Sequence, residues 1–225
     1  MPGASTESRI LDAWQANADA WTGAVRNGCI ESRQLVTDRA IVDAVLAQSP
    51  RRVIDLGCGE GWLTRALADA GIAVIGVDAV PSLIEAARAD GGGDFRVLSY
   101  AELTAGALRE RADVVVCNFS LLGEDSVAGV LAAVPSLLEA GGVLIVQTLH
   151  PLVATGDKPY RDGWREGSWA GCGEGFAEPA PWYFRTMGGW LAAFAKAGLH
   201  LKGMLEPIHP HTGRPASVIF LAGES

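Results

Sequence analysis

The chain has 225 residues, enough for one large α/β domain or a domain with an appended lid, and its 49% hydrophobic and 20% charged content is far from that of disordered chains. A net charge of −8 argues against nucleic acid as a partner, because proteins that neutralise phosphates carry clustered positive charge. The apolar runs, 114–117 and 143–146 among them, fall short of the roughly 18–20 residues that cross a bilayer, and four scattered cysteines without a CxxC pair disfavour a disulfide framework or a zinc knuckle.

The first residues have no apolar core of the secretory kind, so no export signal is expected and a cytoplasmic setting is the default. The segment from Trp14 to Arg33 holds Trp14, Trp21, Arg26 and Arg33, and residues 1–33 are expected to form an N-terminal helical cap. Trp14 and Trp21, seven apart, share one helical face and are expected to pack on the core. From 34 to 48 the apolar positions Leu35, Val36, Ile41, Val42, Val45 and Leu46 recur at helical spacing, and Pro50 closes the segment. Short β-branched runs follow at 52–56, 73–77, 95–98, 113–118 and 142–149, separated by expected helices at 62–70, 81–89, 101–110 and 126–138. Strands that are nearly all apolar and joined by helices predict a parallel sheet covered on both faces, wound right-handed, with ligands beyond the strand C-termini.

After His150 the pattern breaks for about 35 residues before a helical stretch from Met187 to Ala197, so 151–185 reads as an insertion within one unit spanning 34–225. Two further apolar runs, 199–205 and 217–221, joined by a Pro- and His-rich loop, read as a hairpin that completes a seven-stranded sheet.

The most informative segment is Val53-Ile-Asp-Leu-Gly-Cys-Gly-Glu-Gly-Trp62, a strand running into a glycine loop and then a helix. Gly57, Gly59 and Gly61 can take positive φ and admit a ligand to the backbone, and the helix N-terminus behind them offers unpaired N–H groups. The same pentapeptide, Gly-Cys-Gly-Glu-Gly, recurs at 171–175 without a strand before it and reads there as a plain loop. The first copy gains weight from Asp78, which lies 21 residues beyond Gly57 at the end of the next strand, where a carboxylate can accept both hydroxyls of a ribose. Trp62 stands where a dinucleotide fold would place its third glycine, which disfavours NAD. Asp55, inside the first strand, is either a buried carboxylate bonded to loop amides or a group that shapes the site.

Asp55-Leu-Gly-Cys-Gly-Glu-Gly, with Asp78, resembles the class I S-adenosylmethionine-dependent methyltransferases over roughly 50–222. The resemblance implies a Rossmann-like, doubly wound α/β sheet of seven strands, mostly parallel with a C-terminal antiparallel hairpin, and S-adenosylmethionine as cofactor. It also implies cofactor contacts at Cys58 and Ala79, at Ser99-Tyr100-Ala101 beside the adenine, and at Cys117-Asn118-Phe119 along the methionine part. Many relatives carry an acidic residue near position 99, so Ser99 is a departure, and Glu102 or the backbone is left to meet the adenine amine. Asn118-Phe-Ser-Leu lacks the Pro-Pro-aromatic sequence of nucleic-acid amine methylases. The expected function is methyl transfer to O, N or C of a small molecule by a monomer or homodimer. The alternatives are a non-catalytic S-adenosylmethionine-binding module and, more distantly, a nicotinamide oxidoreductase.

Methyl transfer from a sulfonium asks the protein mainly to align a nucleophile and take its proton. Among the four histidines, His150 closes the fifth strand and is the candidate base or acceptor contact, the alternative being a hydrogen-bonded structural histidine. His209, His211 and Glu206 read as a polar hairpin tip rather than a metal set, His200 as a surface or core residue, and no metal is expected. Arg33 is a candidate for the methionine carboxylate, with Glu31 or Asp38 as ordinary partners. Seven of the chain's sixteen aromatic residues lie between 160 and 184, which predicts a lid enclosing a flat or apolar acceptor. Tyr160, Trp164, Trp169 and Tyr183 are its candidate contacts; Arg161, Arg165 and above all Arg185 are candidate anchors for an anionic group.

Overall fold

In the computed structural model, residues 6–224 are described; positions 1–5 of the expected cap and position 225 lie outside the described residues. Seven strands form one sheet: β1 (Arg52–Leu56), β2 (Ala73–Asp78), β3 (Asp94–Val97), β4 (Ala112–Asn118), β5 (Leu138–Thr148), β8 (His200–Leu205) and β9 (Val218–Gly223), in the order β3-β2-β1-β4-β5-β9-β8. The pairs among β1 to β5 are parallel, with Ile54 opposite Ile75 and Val115 on the other side, while β9 runs antiparallel to both β5 and β8.

Side chains alternate between the two faces of a strand, so an all-apolar strand needs a cover on each side. On one face Val53, Val114, Val116 and Ile145 pack with Ile41 and Val45 of α3 (Asp38–Leu46) and with Leu63 and Leu67 of α4 (Trp62–Asp69). On the other, Ile54, Val115, Leu144 and Val146 pack with Val127, Leu131 and Val134 of α7 (Asp125–Leu137) and with Trp190 and Phe194 of α9 (Met187–Lys196). Helix α5 (Pro81–Asp90) crosses between β2 and β3, and its Ile84 and Ala87 meet Cys58 and Phe95. The four crossovers among β1 to β5 leave those strands' C-termini on one edge, beside the glycine loop.

Three elements differ from expectation. The helix expected at 101–110 is the single turn α6 (Tyr100–Thr104), stopped where Gly106 takes φ +80. The 34–48 helix opens with a π-helical turn, Arg33–Thr37, before α3. Trp14 and Trp21 stand on separate helices, α1 (Thr6–Ala16) and α2 (Ala18–Arg26), because Asn17 breaks the run and ties the corner outward, accepting from Ala177 N–H at 2.6 Å and donating to Glu178 O at 3.3 Å.

The 151–185 segment contains the short turn α8 (Pro151–Ala154) and a small hairpin of β6 (Gly163–Arg165) and β7 (Trp182–Phe184). Its β7 hangs on the core through Tyr183 N–H to Leu122 O, 2.7 Å.

Candidate active site

The three glycines after β1 all take positive φ, +78 at Gly57, +58 at Gly59 and +88 at Gly61, but they do so for three different neighbours. A Cβ on Gly57 would fall onto the Ser120 side chain, and one on Gly61 would lie 2.7 Å from the Phe95 ring. Only Gly59 has room, its nearest neighbour being the Trp21 indole nitrogen at 3.6 Å, so Gly59 is the glycine that faces a ligand. Asp78 fixes this loop: one carboxylate oxygen accepts from Gly59 N–H and the other from Val80 N–H, each at 2.9 Å. Burial raises its pKa, and these two N–H donors work against the rise. Each oxygen keeps a lone pair for a further donor.

Two cavities meet at this edge of the sheet. The smaller, about 380 Å³, is lined by Asp78, Ala79, Ser99, Tyr100, Ala101 and the apolar Val80 and Leu83, and is roofed by Ile10 and Leu11 of α1. The larger, about 910 Å³, lies under the 151–185 segment and is lined by Cys58, Arg33, Trp62, Trp169, Trp182, Tyr183 and Arg185. Gly57, Gly59, Asn118, Phe119, Leu122, Trp14 and Trp21 line both and form the junction. At that junction Phe119 holds φ +54, a left-handed conformation costly for a bulky residue, pinned by its N–H to Gln147 O at 2.8 Å. The buried Asn118 Oδ1 beside it has no hydrogen-bond partner among the described residues.

Two glutamates that sequence reading passed over hold the cover in place. Glu7 Oε1 accepts from Glu124 N–H at 2.6 Å and from Asp125 N–H at 2.9 Å, which docks α1 on the N-terminus of α7. Glu124 in turn receives Trp164 Nε1 at 3.2 Å on its carboxylate and Arg185 Nη2 at 3.0 Å on its carbonyl, so one residue ties both α1 and the hairpin to the core. Glu60, inside the glycine motif, points away from the cavities and is fully buried between Arg65 at 2.6 Å and Arg26 of α2 at 3.2 Å. The rings of Trp14, Trp21 and Trp169 close the roof, with centroids 5.1 Å apart for Trp14–Trp21 and 5.4 Å for Trp14–Trp169. Trp14 and Trp21 thus meet the insertion as well as Val80 and Leu83.

Several expected site residues lie elsewhere. His150 is 2% exposed, lines neither cavity, and pairs through Nε2 with Glu206 Oε1 at 2.8 Å. The chain turns at Pro151 just beyond it, and the ring faces Glu206 at the end of β8 rather than either cavity. Tyr160 and Trp164 also lie outside both cavities, the first accepting from Met187 N–H at 2.8 Å and the second turned to Glu124. Asp55 lines neither cavity; it accepts from the Thr64 hydroxyl at 2.9 Å, not from loop amides, and burial pushes its pKa up to about 7. Gly61 and Cys117 are likewise behind the walls. Glu102 is spent on a capping box, accepting from Ser99 N–H at 2.8 Å and from the Ser99 hydroxyl at 2.7 Å, so it is not turned to an adenine amine. Arg33 holds Asp38 at 2.9 Å and lies over the Trp62 ring at 4.7 Å, on the wall of the larger cavity. Glu206 faces His150 and His211 faces Glu31 at 3.3 Å, while the His209 and His211 rings meet edge-on with centroids 5.5 Å apart.

A glycine loop closed by a strand-end acid, in a sheet of this order, defines a Rossmann-like methyltransferase fold. Solved structures share it: magnesium protoporphyrin IX methyltransferase from Synechocystis PCC 6803 with bound S-adenosylhomocysteine aligns over 98% of this chain and 100% of its own, with a TM-score of 0.67 at 17% identity. An S-adenosylmethionine-dependent methyltransferase from Mesorhizobium loti aligns over 80% of this chain and 95% of its own, with a TM-score of 0.60 at 23% identity. In sequence, the ubiquinone biosynthesis O-methyltransferase of Xylella fastidiosa strain M23 is 36% identical over 111 residues, 47% of this chain and 45% of that protein. The chain thus spans about half the length of the curated relatives it matches. Residues 31–201 match the family described as methyltransferase domain, and the chain belongs to that family, the class I S-adenosylmethionine-dependent methyltransferases.

S-adenosylmethionine fits what is present. The smaller cavity pairs a carboxylate with spare lone pairs and apolar walls suited to a nucleoside, and the unpartnered Asn118 Oδ1 at the junction is an acceptor for an ammonium group.

Proposed function

We propose that this chain transfers the methyl group of S-adenosylmethionine to O, N or C of a small-molecule acceptor held in the larger cavity. The shared wall carries the proposal: Gly57, Gly59, Asn118 and Phe119 border both cavities, so a methyl donor in the smaller one meets an acceptor in the larger one. When bound, the cofactor supplies an activated methyl group on sulfur. Asp78 holds the ribose hydroxyls, Ala79 and Ser99-Tyr100-Ala101 border the adenine, and Asn118 receives the ammonium of the methionine part. Trp14, Trp21 and Trp169 exclude water over the junction, and Trp169 and Tyr183 form part of the acceptor wall.

Alignment is the main contribution of such a site, because the electrophile arrives activated. A second space of about 910 Å³ beside the cofactor cavity gives an acceptor room, which favours turnover over a binding module. Among acceptor atoms, the names of the O-methyltransferase relatives favour oxygen. Residues 6–33 act as a cap, and 151–185 as a lid, on the domain that begins at residue 34. Net charge −8 supports a small-molecule acceptor over nucleic acid, and the same reading places a monomer or homodimer in the cytoplasm; among the described residues no helix is long and apolar enough to cross a membrane.

The experiment incubates the protein with labelled S-adenosylmethionine and a library of small phenols, amines and acids, and measures S-adenosylhomocysteine. Acceptor-dependent product is expected. Tight S-adenosylhomocysteine binding with no turnover on any class would instead support the binding module.

A further inference from the structure

The larger cavity is walled mostly by aromatic and apolar side chains, and three arginines reach it. Two of them are already engaged. Arg33 is paired with Asp38. Arg165 lies over the Phe184 ring at 3.5 Å and donates to four oxygens of the α8 end and its loop, the carbonyls of Ala154, Thr155 and Pro159 and the Thr155 hydroxyl.

Arg185 differs. It is 7% exposed, yet its only hydrogen bond among the described residues is Nη2 to Glu124 O at 3.0 Å, and its buried Nη1 has no partner. No carboxylate lies within ion-pair distance of it among the described residues. The carboxylate of Glu124, whose carbonyl Arg185 binds, is turned instead to Trp164. The Tyr183 ring at 4.8 Å and the Trp190 ring at 5.2 Å from its central carbon hold the guanidinium plane, so its open edge is presented in a fixed direction. A buried cation without a directly paired carboxylate is expensive: burial pulls its pKa down, and the charges of Asp162, Glu124 and Glu7, none at ion-pair distance, only partly offset this. A ligand carboxylate would give Nη1 the direct partner that these residues do not.

We propose that Arg185 is the acceptor's anion receptor and that the acceptor is an aromatic acid whose carboxylate binds the open edge of this guanidinium. The inference rests on the methyl-transfer reading and names its substrate class. One free guanidinium edge matches the two oxygens of a carboxylate. The ring of the acid is received by Trp169, Trp182 and Tyr183. Arg185 and Tyr183 are anchored to Glu124 and Leu122, in the segment that runs from the junction residue Phe119, so a carboxylate held there sets the distance of the ring from the methyl group. Only one arginine of the three therefore determines specificity.

The test measures tryptophan-fluorescence titrations in the presence of saturating S-adenosylhomocysteine, using benzoate, cinnamate, 1-naphthoate and indole-3-carboxylate, each against its primary amide. In the wild type at least one acid should bind about 30- to 100-fold more tightly than its amide, the lower end of the range for a buried charge-paired contact. Arg185→Gln should erase that preference and Arg185→Lys should keep only part of it, because a point charge lacks the fork. S-adenosylhomocysteine affinity should stay unchanged in both variants, which also reports that they are folded. Equal binding of every acid and its amide by the wild type overturns the proposal, as does an acid preference that survives in Arg185→Gln. If Arg185→Gln does not fold, the wild-type comparison and Arg185→Lys decide the matter. Failure of the wild type to bind S-adenosylhomocysteine at all would instead strike the methyl-transfer reading.

Discussion

Replacing Asp78 by Asn changes one atom, and the geometry divides the consequence into two parts. The carboxylate has two duties toward the loop, accepting from Gly59 and Val80 N–H at 2.9 Å each, and two lone pairs left for a ribose. An amide keeps one acceptor oxygen and turns an NH₂ toward the other side, so one loop N–H loses its partner. That loss costs about 1 to 3 kcal/mol of stability, read as a fall in Tm of roughly 2 to 4 °C per kcal/mol in a domain of this size. The cofactor loses a charged hydrogen bond to one hydroxyl, about 1.5 to 3 kcal/mol, or roughly 10- to 100-fold in Kd. Calorimetry with S-adenosylhomocysteine at pH 8 separates the two parts when repeated with a 2′-deoxy analogue, for which the variant should lose less than for the parent ligand. Equal Kd values for Asp78→Asn and wild type, with the Tm shift present, would refute the ribose assignment and leave Asp78 as a loop anchor only.

Other expectations follow from the same geometry. Gly61→Ala should destabilise by about 1 to 3 kcal/mol more than Gly71→Ala. Both positions have φ near +87, but only the first directs a Cβ at Phe95, and similar losses in urea unfolding would contradict the packing argument. Asp55 is an acid whose folded-state pKa is raised to about 7 from 3.8, so the folded state keeps its proton longer than the unfolded chain, and stability present at low pH declines as pH climbs from about 4 to about 7. Between pH 5 and pH 8 this amounts to a loss on the order of 3 kcal/mol, which Asp55→Asn should largely remove; unfolding curves with the same pH slope in both proteins would disprove it. His150→Ala should lower Tm through the lost 2.8 Å contact to Glu206 while acceptor KM stays within about twofold, and a large KM change would return His150 to the acceptor site.

Much of the fold is legible because its rules are local. Runs such as Val114 to Cys117 are apolar at every position, which requires two covers, and the glycine loop and strand-end Asp78 sit at fixed offsets from β1. Strand β9 reads the same way, being buried at nearly every position, whereas the edge strand β8 is exposed along most of its length. The site is less legible because direction and distance are not written in spacing. His150 ends a strand at the correct edge, but the turn at Pro151 sends its ring to Glu206, 56 residues away. The hub at Glu124 depends on Glu7, 117 residues earlier, and on Arg185, 61 residues later. Glu60 looks like a polar loop residue and is a fully buried partner of two arginines. The aromatic excess between 160 and 184 points to a cavity, yet only the geometry separates Trp169 and Tyr183, which line it, from Tyr160 and Trp164, which brace the hairpin from outside.

The most direct test of methyl transfer across the shared wall is a crystal structure with bound S-adenosylhomocysteine. The ribose hydroxyls should lie within hydrogen-bond distance of Asp78, the adenine against Tyr100 and Ala101, and the sulfur at Asn118 and Phe119, open toward the space lined by Trp169 and Arg185. A sulfur sealed off from that space, or a nucleoside bound away from Asp78, would contradict the account.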